Sequence, residues 1–236
     1  MKEKLYAIPV NDAFNVTSEC PVCVMYNQLE TNAIDYTMGP SYMEDDIRAQ
    51  TDESGFCQKH TKMLYDKENR LGMALVLNTH IANTTKKIQE LSKNKPKKTS
   101  FLSKAPSESP LLDYIQKLNQ SCFVCNRIDN VFNRYIDTIF HLYKTDTTFK
   151  DKYNSCNGFC TCHYGTLMSK APSSLSGNTL DAFIDTTNDL YIKNMERVNE
   201  DLTWFINKFD HKYANEPWKN SKDSIPRAIT KTNSII

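Results

Sequence analysis

Apolar side chains along this chain recur at three- and four-residue intervals, the spacing of helices that bury one face. After Cys23 they fall at Met25, Leu29 and Ile34, and Gly39-Pro40 ends the run. A short piece spans 42–50. Beyond His60, the positions Met63, Leu64, Leu71, Leu75, Ile81, Ile88 and Leu91 predict a helical stripe that bends near Gly72. Val131, Tyr135, Ile139 and Leu142 predict another. The longest stripe runs Leu180, Phe183, Thr187, Leu190, Asn194, Val198, Leu202, Phe205 and Phe209, with Asn178 or Thr179 able to cap its start. Only six glycines in 236 residues agree with helices rather than turn-rich sheets. The expected fold class is all-α, and these stripes are its core.

A second pattern lies over the first. Cys20-Pro21-Val22-Cys23 is echoed 102 residues later by Cys122-Phe123-Val124-Cys125. Gly55-Phe56-Cys57-Gln58-Lys59-His60 is echoed 103 residues later by Gly158-Phe159-Cys160-Thr161-Cys162-His163. A rare-residue pattern repeated in the same order points to an internal duplication. Between the copies, Ser92 to Ser100 and Ala105 to Pro110 are rich in Lys, Ser and Pro, the composition of a flexible linker. The expected organisation is a first helical module over 1–92, a linker over 93–110 and a second module over 111–236, the two pseudo-symmetric and packed as one body.

The repeated residues are metal-ligand types. In C-x-x-C, two thiolates leave one tight turn toward one centre, and a Cys and His three apart on a helix share a face. Two such pairs make a Cys3His set, which suits zinc first and an iron–sulfur centre second. Read in chain order, Cys20, Cys23, Cys57 and His60 form one quartet, and Cys122, Cys125, Cys160 and His163 the other. The glycine permits a sharp turn into the helix, and the phenylalanine can shield the site from water. A full four-ligand zinc site is structural by default. A dithiol redox pair at either C-x-x-C is the alternative chemistry, although it leaves the recurring third cysteine and histidine unexplained.

Charge and the remaining residues narrow the picture. Formal net charge is +1, so no global field draws the chain to nucleic acid. No apolar run approaches the roughly 20 residues of a membrane span, and the N-terminus lacks the apolar core of a signal peptide. The cytoplasm is therefore the expected compartment, where spaced cysteines are more often ligands than disulfides. Cys156 and Cys162 have no repeat partners and read as spare thiols, with ligand replacement or a redox pair as alternatives. His80 reads as a packing residue and Asp45-Asp46 as a solvated helix face. Asn69 to Gly72 is a polar spot within a helical run, either a bend or a site. No P-loop, dinucleotide-binding glycine pattern, H-E-x-x-H or serine elbow is present.

Taken together, C-P-V-C, G-F-C-x-x-H, Leu71-Gly72-Met73-Ala74-Leu75, C-F-V-C and the C-terminal Trp204-Phe205, Lys208-Phe209-Asp210, Glu216-Pro217-Trp218 and Ser221-Lys222-Asp223 resemble an uncharacterised bacterial family of unknown function. Members of that family are sometimes labelled as an ABC-transporter substrate-binding component, although the element pattern is not that of a two-lobed α/β binding protein. Lys208, Asp210, Trp218, Ser221, Lys222, Asp223 and Arg227 could hold an anion or partner, or form a tail anchored by Trp218. The expected function is a zinc-stabilised interaction or regulatory protein with a protein or small-molecule partner. An iron–sulfur or dithiol redox protein, or an enzyme using a cleft between the modules, are the alternatives.

Overall fold

The computed structural model describes residues 3–93 and 109–234; most of the expected linker lies outside them. The chain is all-α, with no strand among the described residues. Its helices are α1 (Glu3–Asn15), α2 (Pro21–Met38), α3 (Asp45–Ser54), α4 (Gln58–Asp66), α5 (Arg70–Ser92), α6 (Pro110–Gln120), α7 (Phe123–Thr145), α8 (Thr147–Ser155), α9 (Thr161–Ser174), α10 (Gly177–Asn207) and α11 (Ser224–Asn233). None of the described helices is long and apolar enough to cross a membrane.

The helices form two units. One is Met1–Gln28 with Phe132–Ile236, and the other is Leu29–Val131. Both boundaries fall inside a helix, α2 and α7, and not in the segment 93–110.

The first unit is built on α10. Phe183, Thr187, Leu190, Asn194 and Val198 are buried along it, as the stripe predicts, and Tyr153 donates or accepts a 2.8 Å hydrogen bond with Thr187. Tyr153 stands among Phe14, Tyr143, Phe159 and Phe183, with ring centroids 5.0–5.7 Å apart across this cluster. Fully burying one such ring contributes roughly 1.5–3 kcal/mol. The stripe does not hold to its end, because α10 stops at Asn207 and leaves Phe209 three-quarters exposed. Ser176, not Asn178 or Thr179, occupies the cap position. Trp218 packs against Phe205 in the tail, and the buried Lys208 donates to the carbonyls of Tyr213, Ala214 and Glu216. Lys208 is thus consumed in tying down the tail and is not offered to an anion.

In the second unit, the buried apolar residues are Leu29, Ala33, Ile34 and Met38 of α2, Ile47 of α3, Leu64 of α4, Met73 and Val76 of α5, and Phe123, Val124 and Ile128 of α7. The predicted stripe beyond His60 is corrected here. The chain breaks between α4 and α5, before Gly72, and Glu68 turns through φ +60°. The buried residues of α5 are Gly72, Met73 and Val76, while Leu71 and Ile81 lie in solvent. The polar spot is a helix start: Asn69 accepts from the Gly72 N–H at 2.9 Å and donates to Met38 O at 2.8 Å. Asp45 and Asp46 are exposed in the first turn of α3, where carboxylates complement the helix dipole.

Candidate metal centres

All eight predicted donors sit at helix starts, two to a helix. Cys57 and Cys160 are the cap residues of α4 and α9, and His60 and His163 lie three residues further on. Cys20 and Cys122 directly precede α2 and α7, their carbonyls accepting from Val24 and Asn126. Cap and third residue face one way, so each helix start presents a pair of donors. The first-turn N–H groups and the positive end of the dipole favour thiolate there, and the N–H groups of His163 and Cys125 donate to Cys160 and Cys122 Sγ.

The pairs meet in crossed order. Cys20 and Cys23 converge with Cys160 and His163, and Cys57 and His60 with Cys122 and Cys125; within each group the donor atoms lie within 4.8 Å of one another. The quartets expected from chain order are therefore corrected: each C-x-x-C is matched with the Cys-His pair of the other copy. The first group lies wholly in the first unit and the second in the second unit.

The distances can be tested against a single ion. With Zn–S near 2.3 Å and Zn–N near 2.0–2.1 Å, a tetrahedron has S···S edges of about 3.8 Å and S···N edges of about 3.5–3.6 Å. In the first centre, His163 Nδ1 is 3.6, 3.3 and 3.2 Å from Cys20, Cys23 and Cys160 Sγ, and Cys23 Sγ is 3.6 Å from Cys160 Sγ. In the second, His60 Nδ1 is 3.3 Å from each of Cys57, Cys122 and Cys125 Sγ, and Cys57 Sγ is 4.0 Å from Cys125 Sγ. Those edges fit four donors around one ion of zinc size.

Electrostatics point the same way, because sulfurs this close cannot all ionise without a cation between them. In the first centre, burial pushes the Cys20 thiol up to about 12. Cys23 rises too, chiefly through its hydrogen bond to Cys160. Cys160 is driven far down by hydrogen bonds from Cys20 and Cys23, with His163 adding to them. In the second centre, burial raises Cys125 to about 12. Burial also works to raise Cys122, but hydrogen bonds from His60 and from backbone N–H groups bring it down to about 6. Each centre thus sets a lowered thiol beside raised ones: Cys160 beside Cys20 and Cys23, and Cys122 beside Cys125.

The glycines before the two Cys-His pairs are required by geometry. Gly55 has φ +59° and Gly158 φ +75°. A Cβ on Gly158 would stand 2.6 Å from Leu190 O, and one on Gly55 would stand 2.8 Å from the His80 ring. His80 is held there by a 2.9 Å hydrogen bond between Nδ1 and Asp52 O, in keeping with a packing role. Of the two phenylalanines, Phe159 is fully buried, and Phe56 meets Phe123 edge to face at 6.4 Å.

Around the donors lie residues that the motif did not announce. At the second centre, Glu30 Oε1 is 3.0 Å from His60 Nε2 and 2.6 Å from Lys59 Nζ. That carboxylate fixes the tautomer that leaves Nδ1 free to bind an ion. Glu30 lies on the buried face of α2 between Leu29 and Ile34, and a carboxylate inside an apolar stripe was the available signal. Phe123 N–H also donates to Gly55 O at 2.9 Å, joining the two donor loops. The first centre cannot copy that bond, because its counterpart Pro21 has no N–H. There the buried Lys231 of α11 joins the loops instead, donating to Glu19 O at 2.7 Å and to Asn157 O. Ser234 Oγ lies 2.9 Å from Cys160 Sγ. Cys156 is half-buried and Cys162 exposed, and neither enters a centre. Glu30→Gln should weaken ion binding at the second centre about 10–100-fold. Competition with a chelator of known affinity would show it, and an unchanged affinity would remove Glu30 from the site.

Neither the curated proteins nor the solved structures compared with this chain give a match. A profile described as a family of unknown function (DUF6062) matches residues 1–236. Sequence motifs that resembled an uncharacterised family thus lead to a plain assignment: this chain belongs to the family of unknown function DUF6062.

Proposed function

We propose that this chain is a zinc protein whose two Cys3His ions staple helix starts into a scaffold for an interaction or regulatory role. One observation carries the reading: each unit brings three sulfurs and an Nδ1 to the edge lengths of a single tetrahedral ion. The thiolates of an iron–sulfur cluster are shared among several irons and need wider spacing, so the compact quartets favour a mononuclear ion. A third thiolate and an imidazole packed against each C-x-x-C also favour coordination over dithiol exchange. Both sets are complete, which favours a structural over a hydrolytic role, since catalytic zinc keeps a position open. Eight cysteines without a disulfide suit a reducing compartment such as the cytoplasm. A substrate-binding role gains no support from an all-helical chain.

Elemental analysis of anaerobically purified protein tests the proposal, with two zinc ions and no colour expected. Visible absorption from iron would sink it. Loading should also release protons. At pH 7, Cys20 and Cys23 hold protons that an ion must displace, so the first centre should release at least two. Its affinity should then rise by about 100-fold per pH unit and fall as acid returns those protons. Calorimetric titration of zinc-stripped protein in buffers of different ionisation heat counts them directly.

A further inference from the structure

We propose that the two centres do different work: the first is a permanent staple sealed by α11, and the second is an exchange site for a borderline-to-soft divalent cation. The inference rests on the two-zinc reading above and adds a division of labour to it.

The first centre keeps its donors from solvent, and the cleft of about 190 Å³ beside it, lined by Ser18, Pro21 and Asn157, reaches none of the four. Cys20, Cys23, Cys160 and His163 are all buried, Cys160 completely. The rings of Phe132 and Tyr26 lie 5.5 and 6.4 Å from the His163 ring. Lys231, 1% exposed, bridges the carbonyls of the residues that lead into both donor loops, and its ammonium pairs with Glu19 at 3.4 Å. Glu19 is held in turn by Arg197 at 2.5 Å. Ser234, at the end of the same helix, contacts the Cys160 sulfur. An entering ligand finds the Cys160 sulfur covered by Ser234 and the two donor loops tied together by Lys231.

The second centre is open on one edge. Cys57 and Cys125 are only half-buried, and their sulfurs form the 4.0 Å edge of the group. Two clefts of about 440 and 340 Å³ share Glu53, Ser54 and Asn126; Ser54 directly precedes Gly55 and Asn126 directly follows Cys125, although neither cleft is lined by a donor itself. Among the described residues, no cation is buried in the second unit as Lys231 is beside the first centre. Lys59 reaches Glu30 with a side chain that is 60% exposed. Zinc exchanges by accepting an incoming donor while an old bond lengthens, which needs an approach to the ion. The step moves no electrons: a Zn–S bond breaks as a bond to the entering donor forms, and the freed thiolate takes a proton from solvent. Thiolate and imidazole donors suit zinc, cadmium or a similar cation in this exchange.

The test is chelator-driven release from the two-zinc protein. In excess 4-(2-pyridylazo)resorcinol, one zinc should leave at least about 10-fold faster than the other, the range by which supporting residues alter metal sites. N-ethylmaleimide trapping with peptide mapping assigns the phases. Cys57, Cys122 and Cys125 should be labelled with the fast phase and Cys20, Cys23 and Cys160 with the slow one; the exposed Cys162 marks time zero. Lys231→Met should hasten the slow phase alone, and Ser234→Ala gives a milder probe if the first variant folds poorly. Release of both ions in one phase, or labelling of Cys20 and Cys23 first, overturns the division of labour while leaving the zinc reading intact. Protein that carries no zinc overturns both.

Discussion

Cys20→Ser combined with Cys160→Ser should remove one ion of the two, whereas Cys20→Ser combined with Cys57→Ser should remove both. The two sulfurs of the first variant serve one centre and those of the second serve different centres. Pairing in chain order predicts the reverse, so zinc content per chain decides between the topologies without a further structure. The loss should register in stability as well. Zinc contributes roughly 10–16 kcal/mol in apparent terms to isolated finger peptides. The first unit has an aromatic core of its own, so only part of that is at stake. Losing a direct ligand should still exceed the 10–100-fold cost of a supporting residue, which sets a floor of about 3 kcal/mol. For a chain of this size that is about 6–12 °C in Tm. If Cys20→Ser with Cys160→Ser kept both ions, the crossed centres would be wrong.

Gly158→Ala should be the most damaging single-methyl change in the chain, at about 3 kcal/mol or more. Part of this is the left-handed backbone, which costs a residue with a Cβ roughly 1–2 kcal/mol. The rest is steric. The new methyl would sit 2.6 Å from Leu190 O in mid-helix, where Asn194 Nδ2 already donates at 2.9 Å. Backbone cannot swing aside as a side chain can. Gly55→Ala shares the backbone strain but meets the His80 ring, so about 2 kcal/mol is expected. Gly165→Ala is the control. It lies exposed within α9 with nothing near its would-be Cβ, and should stabilise by about 0.5–1 kcal/mol. Urea unfolding of the zinc-loaded variants reads all three, and equal effects at Gly158 and Gly165 would refute the account of the loop.

Particular residues show what the sequence could and could not disclose. The α10 stripe from Phe183 to Val198 was legible because one long helix buries one face and the period survives polar Thr187 and Asn194. The α5 stripe was not, because Leu71 and Ile81 keep the spacing yet face water, while Gly72, which looked like a bend, is buried. Periodicity marks a helix more safely than it marks the buried side. The eight candidate donors were picked out by their types and spacing, and the fold gathers all of them into two groups. Their pairing was not, for an energetic reason. Joining Cys23 to Cys160 in place of Cys57 roughly quadruples the loop, which costs only about 1.2 kcal/mol in closure entropy. That is small beside what an ion contributes, so spacing alone could not choose. Lys231 was illegible because a lysine near the end of a chain reads as solvated. Only the fold reveals that Pro21 removed a hydrogen bond for which Lys231 compensates.

The nesting of the centres bears on how the polypeptide comes off the ribosome. The four donors of the inner quartet lie between residues 57 and 125 and its supporting Glu30 precedes them, all within the continuous stretch Leu29–Val131. Cys20 and Cys23, made first, must wait for residues 160 and 163. At 5–20 residues per second that delay is about 7–30 s. Once Cys57 and His60 have been made, they offer the two waiting thiols a wrong partner close by in sequence. Early closure of the inner quartet would protect the nascent chain by withdrawing those decoys before the outer ring is completed.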